Sequence, residues 1–242
     1  MQIIKVDAIG STNTFLKEAV RDKTITEPTC VWAKKQTEGK GQHGAKWKSE
    51  ANKNLTFSVF LPYFHTKNNS PFIMNMLTTI SIYNCLLEYA LPNLKIKWPN
   101  DILSVNKKIG GILIENSYKN GELAGSIIGI GLNVNQDHFE NLPQASSIKN
   151  ITGKTLNIET LLNNILNMLS KSFQNYSQTD FKLVKKQFEK ILFRNKKPST
   201  FNAEGLDFTG IIQGITDEGK LIVMLEDSIL KTYDLKEITL KY

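Results

Sequence analysis

Gln36-Thr-Glu-Gly-Lys-Gly-Gln-His-Gly-Ala-Lys-Trp47 is the stretch on which the fold reading turns. Gly39, Gly41 and Gly44 let the backbone take positive φ and approach a ligand closely. Lys40 lies between the first two, Gln42 follows, and Lys46 precedes Trp47. Free N–H groups, a fixed positive charge and a ring suit an anionic, flat or phosphate-bearing ligand. The spacing Gly39-x-Gly41-x-x-Gly44 also matches the dinucleotide-binding fingerprint, which requires a helix to start on the glycines. Here Lys46-Trp-Lys-Ser-Glu-Ala-Asn-Lys-Asn54 follows with no apolar helical period, and then the strand-like run Leu55 to Leu61. That context argues against a Rossmann phosphate turn. The plain alternative is a surface loop, which most glycine-rich segments are.

Working outward, Cys30 to Gln36 reads as a strand that delivers the loop, and Ile3 to Asp7 as a shorter one. Between them Ser11 is an N-cap candidate for a helix starting at Thr12, and a capped N-terminus also offers N–H groups to a ligand. After Pro71, apolar residues at Phe72, Met76, Ile80, Tyr83, Leu87 and Ala90 keep helical spacing, a packing face. Leu94 to Trp98 reads as a strand that Pro99 stops. Asn100 and Asp101 then sit at a bend: a common turn, or, with Lys97, a place to hold a nucleotide and its magnesium.

Ile102 to Val105, a turn at Asn106-Lys107, and Lys108 to Tyr118 predict a hairpin. Asn120-Gly121 is a type I′ turn signal. Glu122 to Val134 returns as the partner strand. Glycines inside these arms (Gly110, Gly111, Gly125, Gly129, Gly131) point to close approach, by a ligand or by packing. Asn157 opens a helix with Ile158, Leu161, Leu162, Ile165, Leu169 and Phe173 on one side. Asp180 precedes another with Phe181, Val184, Phe188, Ile191 and Leu192. From Lys197 short β runs appear: Phe208 to Ile215, a turn at Asp217 to Gly219, Leu221 to Leu225, a turn at Asp227-Ser228, and Leu230 to Tyr233. They predict a small barrel-type β domain.

The 242 residues suit one large or two modest domains, and 40% hydrophobic content supports a proper core. No apolar run reaches transmembrane length, and Met1 to Asp7 lacks a signal-peptide core, so a cytoplasmic protein without a membrane partner is expected. Cys30 and Cys85 make neither a disulfide framework nor a metal cluster. The net charge is +7, yet only Arg21 and Arg194 among the 30 basic residues are arginine. Scattered lysines argue against a groove-reading nucleic-acid binder, which favours arginine forks. Asp207, Asp217, Glu218, Glu226, Asp227, Asp234 and Glu237 make the C-terminal part too acidic for one. The charge instead reads as compositional drift, or as attraction for an acidic protein partner.

Four separated motifs converge: Gln36 to Trp47, Lys97-Trp-Pro-Asn-Asp101, Lys108-Ile-Gly-Gly-Ile-Leu-Ile-Glu115 and Gly129-Ile-Gly-Leu-Asn-Val-Asn135. Together they resemble the signature set of the biotin protein ligases, and Ser11-Thr12-Asn13 resembles that family's opening biotin contact. The resemblance covers essentially the whole chain. It implies an α+β fold: a mixed-sheet catalytic domain of the biotin/lipoate ligase type over residues 1–195, with helices packed on one side, and an SH3-like β-barrel over 196–242. It implies activation of biotin with MgATP to biotinyl-5′-AMP and pyrophosphate, then transfer to a lysine of a biotin carboxyl carrier domain. The chain starts at the catalytic part, so neither DNA binding nor repressor function is expected; a homodimer is left open.

By the same resemblance Lys108 is the catalytic candidate, lying between the biotin carboxylate and the α-phosphate, where negative charges crowd. Ser11, Thr12, Asn13 and Gln36 would hydrogen-bond biotin. Gly39, Lys40, Gly41 and Gln42 would fold over biotin and adenylate and exclude water from the mixed anhydride. Trp47 would pack beside biotin, and Gly111, Leu113 and Gly129 would line its pocket. Lys40, Lys97, Asn100, Asp101 and Asn133 would face the nucleotide, with magnesium near Asp101. The sequence departs from the pattern at Lys40, Gln42 and Ala45, where the family commonly carries arginine. Lysine keeps charge but loses the bidentate fork, so a leakier loop is expected unless Lys46 or Lys48 compensates. The rival reading, a lipoate or octanoate ligase, shares the fold but lacks the Lys-Trp-Pro-Asn-Asp run.

Overall fold

The computed structural model of the chain describes residues 1–62, 70, 72–119, 122–176 and 181–242. Pro71, the Asn120-Gly121 turn and Asp180 lie outside them. The elements run β1 (Gln2–Ile9), α1 (Thr12–Arg21), β2 (Thr29–Gln36), β3 (Leu55–Pro62), α2 (Phe72–Leu87), β4 (Lys95–Lys97), β5 (Asp101–Ser104), β6 (Lys107–Lys119) and β7 (Glu122–Leu132). Then follow α3 (Ile148–Thr152), α4 (Ile158–Tyr176), α5 (Phe181–Ile191), β8 (Pro198–Ala203), β9 (Leu206–Ile215), β10 (Leu221–Met224), β11 (Leu230–Tyr233) and β12 (Thr239–Leu240).

The first seven strands form one sheet in the order β1-β2-β3-β7-β6-β5-β4. β1 and β2 are parallel and the other pairs antiparallel, so the sheet is mixed. Side chains alternate between its faces. Cys30 and Trp32, Leu55, Phe57 and Val59, Ile112, and Ile128, Ile130 and Leu132 join the main core with α2, α4 and α5. Intervening residues Val31, Phe60 and Ile127 pack instead with Leu16 of α1. The helices therefore do not all lie on one side, as the resemblance implied. α1 is amphipathic enough to seal the opposite face near β1 to β3, and it covers only part of that face. Cys30 and Cys85 are free and buried, and burial pushes both thiols up to about 12.

The hairpin turn lies one residue earlier than its Asn106-Lys107 expectation. Val105 and Asn106 carry the positive φ values, 48° and 60°, and Lys107 already opens β6. The helix after residue 71 stops at Leu87, so Ala90 falls outside it. Glycine packing in the arms is tight: a Cβ on Gly110 would stand 2.4 Å from Leu132, and one on Gly125 3.0 Å from the Phe60 ring.

The last five strands form an antiparallel sheet in the order β11-β10-β9-β8-β12. β8 and β12 were not foreseen in the sequence. No pairing among the described residues closes β11 onto β12. This sheet is not set apart from the rest: Phe201, Ile212, Ile215, Leu221 and Val223 belong to the same core cluster as α2 and α4. Trp98 Nε1 donates to the Gly219 carbonyl at 2.9 Å, and Phe72 meets Phe188 edge-on at 5.7 Å. Among the described residues no helix is long and apolar enough to cross a membrane.

Candidate active site

The sheet face that α1 leaves open carries a cavity of about 310 Å³. Three strands floor it with their small or polar residues. Gly129 and Gly131 of β7 lie two apart, on the face opposite Ile128 and Ile130. Their smallness is required: a Cβ on Gly129 would sit 2.3 Å from Asn13 Oδ1, and one on Gly131 2.4 Å from the Trp47 ring. In β6 the pairing slips by one residue at Ile109, with Ile102 facing Gly110 and Leu103 facing Lys108. Such a bulge re-aims side chains. It puts Lys108 on the same face as Gly111, three residues on, and a Cβ on Gly111 would lie 3.5 Å from Lys108 Cε.

Lys108 Nζ pairs with Asp101 Oδ1 at 2.6 Å and stands 5.8 Å from the centre of the Trp47 ring. Asp101 is the first residue of β5, directly opposite Gly111. Lys97, opposite Asp101 on β4, is half-buried. Burial lowers its pKa below the usual lysine range; Asp101 opposes this and the Lys108 charge adds to it. Lys97 Nζ lies 4.9 Å over the Tyr242 ring. Two cations and one carboxylate thus share one end of the cavity, a net positive arrangement suited to phosphate.

The other end is neutral and densely hydrogen-bonded. Ser11 caps α1, its Oγ accepting from Thr14 N at 3.4 Å. Thr12 N donates to Gln36 Oε1 at 2.8 Å, which fixes the orientation of that amide. Thr12 Oγ1 lies 2.6 Å from Ser58 Oγ, and Ser58 donates to Asn13 Oδ1 at 2.5 Å. Asn13 Nδ2 donates to Glu115 Oε2 at 3.0 Å, and Lys17 Nζ to Glu115 Oε1 at 2.9 Å. Burial alone would raise the Glu115 pKa, but the Lys17 and Asn13 hydrogen bonds and the nearby lysine charges together hold it below the usual carboxylate range.

The glycine loop is a small closed hairpin rather than an open nest of N–H groups. Trp47 N donates to Gly39 O at 2.9 Å and Gly41 N to Ala45 O at 2.7 Å, and Lys40 and Lys46 bridge across it. Gly44 takes the turn with φ 80°. Gly39 lies beneath Trp47, where a Cβ would be 2.4 Å from the Trp47 carbonyl.

Of the expected site residues, Ser11, Thr12, Asn13, Gln36, Lys40, Gly41, Gln42, Trp47, Lys97, Asn100, Asp101, Lys108, Gly111, Leu113 and Gly129 all line the one cavity. Gly39 and Asn133 do not. Asn133 Nδ2 donates to Ser146 O, a bond that ties β7 to the following loop. Asn100 lines the cavity but spends its amide on Ile112 O at 2.5 Å. Ser58 and Glu115 were not assigned in the sequence, though alternation along Leu55 to Leu61 puts Ser58 on the α1 face. Leu235, Ile238 and Leu240, which close the cavity from the C-terminal sheet, and Tyr242 carried no signal. Among the described residues no three His, Cys, Asp or Glu side chains group as a metal site.

Residues 6–133 match the model of the biotin/lipoate A/B protein ligase family. The bifunctional ligase/repressor BirA of Bacillus spizizenii is 30% identical over 238 residues, covering 96% of this chain and 72% of that protein. The biotin–[acetyl-CoA-carboxylase] ligase of Mycobacterium tuberculosis is 24% identical, covering 91% of this chain and 82% of that one. The structure of Aquifex aeolicus biotin protein ligase in complex with biotin and ATP superposes with a TM-score of 0.83 at 27% identity, over 99% of this chain and 98% of that chain. The chain belongs to the biotin/lipoate A/B protein ligase family.

Proposed function

We propose that this family member is a biotin protein ligase. It joins biotin to ATP as biotinyl-5′-AMP, releasing pyrophosphate, and then moves the biotinyl group to a lysine of a biotin carboxyl carrier domain. The observation that carries the reading is the polarity of this cavity: Lys108, Lys97 and Asp101 at one end, a neutral hydrogen-bonded end at the other, and Trp47 between. The Aquifex aeolicus relative with the same fold is a complex with biotin and ATP, which supports the reading.

The chemistry follows from that polarity. A biotin carboxylate oxygen attacks the α-phosphorus, and the bond to pyrophosphate breaks. Two anions must meet, so a preorganised cation at the meeting point lowers the barrier. Lys108 supplies it, oriented by Asp101 at 2.6 Å; Asp101 is also the carboxylate that would hold magnesium, which would supply further positive charge at the phosphates. Lys97 neutralises phosphate, and the neutral end binds the ureido ring through Ser11, Thr12, Asn13 and Gln36. The hairpin of Gly39 to Trp47, with Lys40, Gly41 and Gln42, covers the mixed anhydride against water. In the second step a carrier lysine amine attacks the acyl carbon and AMP leaves. Of the remaining expected residues, Gly111, Leu113 and Gly129 line the biotin side, while Asn100 and Asn133, whose amides are spent on Ile112 O and Ser146 O, brace the nucleotide side from behind.

The five-stranded C-terminal sheet is read as the SH3-like unit, with the boundary near residue 195. A cytoplasmic setting belongs to the same reading. The test is mass spectrometry of a carrier domain incubated with the protein, biotin and ATP. One added biotinyl group on its lysine is expected. An unmodified carrier beside accumulating adenylate would remove the transfer step.

A further inference from the structure

Glu115 has no role in the reaction just described, yet it ends a chain of hydrogen bonds that reaches the neutral end of the cavity. The chain has a direction. The Thr12 backbone N–H can only donate, so Gln36 turns Oε1 toward it and leaves Nε2 for the cavity. An ionised carboxylate can only accept, so Glu115 draws both the Lys17 ammonium and the Asn13 Nδ2. With Nδ2 committed, Asn13 offers Oδ1 to Ser58, which spends its only proton there. Thr12 Oγ1 has two acceptors in reach, Ser58 Oγ at 2.6 Å and Gln36 Oε1 at 3.1 Å; with the Ser58 proton spent on Asn13, the shorter contact takes the Thr12 proton and turns it away from the cavity. Thr12 Oγ1 is left with both lone pairs for a ligand N–H.

We infer that Glu115 is a positioning residue, which fixes Thr12 Oγ1 as an acceptor for the N–H of a cyclic urea by holding the Asn13 carboxamide in one orientation. The inference rests on the biotin reading and names a determinant of its ureido recognition. The site around Glu115 is built for the task. Ser58 and Asn13 are buried, Lys17 reaches in from the exposed side of α1, and Gly129 is small so that Asn13 fits. Neutral glutamine in place of Glu115 has two poor choices. Keeping Oε1 toward Asn13 sets its NH₂ against the Lys17 ammonium. Turning NH₂ toward Asn13 forces Asn13 over, so that Nδ2 meets Ser58. Ser58 then donates to Thr12, Thr12 donates to Gln36 Oε1, and one lone pair is lost from the cavity.

The test is biotin-dependent pyrophosphate exchange by wild type, E115Q and the swapped pair N13D/E115Q, with melting temperatures measured alongside. Aspartate at 13 accepts from glutamine at 115 and from Ser58, which restores the original direction. The expectation for E115Q is a rise in KM for biotin of about tenfold, the size of one neutral hydrogen bond to the ligand, with kcat and melting temperature nearly unchanged. The swapped pair should recover most of that loss. An unchanged KM in E115Q overturns the inference, and so does a swapped pair no better than E115Q. A kcat that falls together with melting temperature marks a merely structural residue and also overturns it. A wild type that exchanges nothing with biotin removes the biotin reading, and this inference with it, a result separate from all of these.

Discussion

The two faces of the seven-stranded sheet use the same strands for opposite purposes. Along β7 the residues Ile128, Ile130 and Leu132 meet α2 and α4, while Gly129 and Gly131 make space for Asn13 and Trp47. Along β3, Leu55, Phe57 and Val59 are core, and Ser58 between them is a buried link in the site's hydrogen bonding. One face is filled to close packing; the other is hollowed, and its polar groups are held by neighbours rather than by volume. A two-residue period thus lets one strand serve stability and chemistry at once. Substitutions one residue apart should fail in different assays.

The largest effect is expected on the hollow face. Lys108→Ala removes one preorganised cation and should slow pyrophosphate exchange a hundredfold or more, about 3 kcal/mol or above, while the melting temperature stays within a few degrees. Exchange near the wild-type rate would end the role given to Lys108. On the filled face, Ile128→Ala should cost about 3 kcal/mol of unfolding free energy in a denaturant titration, with KM for biotin within twofold. A large rise in KM there would show that the faces are not separable. Between them stands Gly129→Ala. Its Cβ would press on Asn13 at 2.3 Å, so biotin should bind on the order of tenfold more weakly with a smaller loss of stability than Ile128→Ala.

The smallest effect concerns pH. Burial has lowered the Lys97 pKa, so its charge is lost at a lower pH than that of a free lysine, 10.5. Bound phosphate favours the charged form. KM for ATP should therefore rise as alkaline pH approaches the lowered value from below, and Lys97→Met should flatten that limb. Cys30 and Cys85, on the filled face and helix, should react with a maleimide only after unfolding.

Much of the fold was legible because its periods are local. Leu55 to Leu61 alternates, the α4 residues from Ile158 to Phe173 repeat at helical spacing, and Ser11 caps its helix. What escaped depends on contacts between distant segments. The two sides of the sheet became distinct only when Leu16 was seen to meet Val31 and Ile127. The one-residue slip at Ile109, which turns Lys108 into the cavity, is a pairing irregularity without a sequence mark. β12 is two residues long and is stabilised by β8, some forty positions away, so no local pattern announces it. The site residues were found as motifs, yet the motifs did not separate those that face the cavity from those that brace it. Asn133 and Gly39 stand in the right motifs and spend themselves on Ser146 O and the underside of Trp47. Glu115 closes its motif as a lone carboxylate on an apolar strand, and its meaning came only with Asn13 and Lys17 beside it.

The most direct test of the account is exchange of labelled pyrophosphate into ATP, run in parallel with biotin, lipoate and octanoate. The account predicts exchange with biotin alone, because the neutral end of the cavity offers Gln36 Nε2 to a ureido carbonyl and Thr12 Oγ1 to a ureido N–H. Exchange with lipoate or octanoate, and none with biotin, would contradict it.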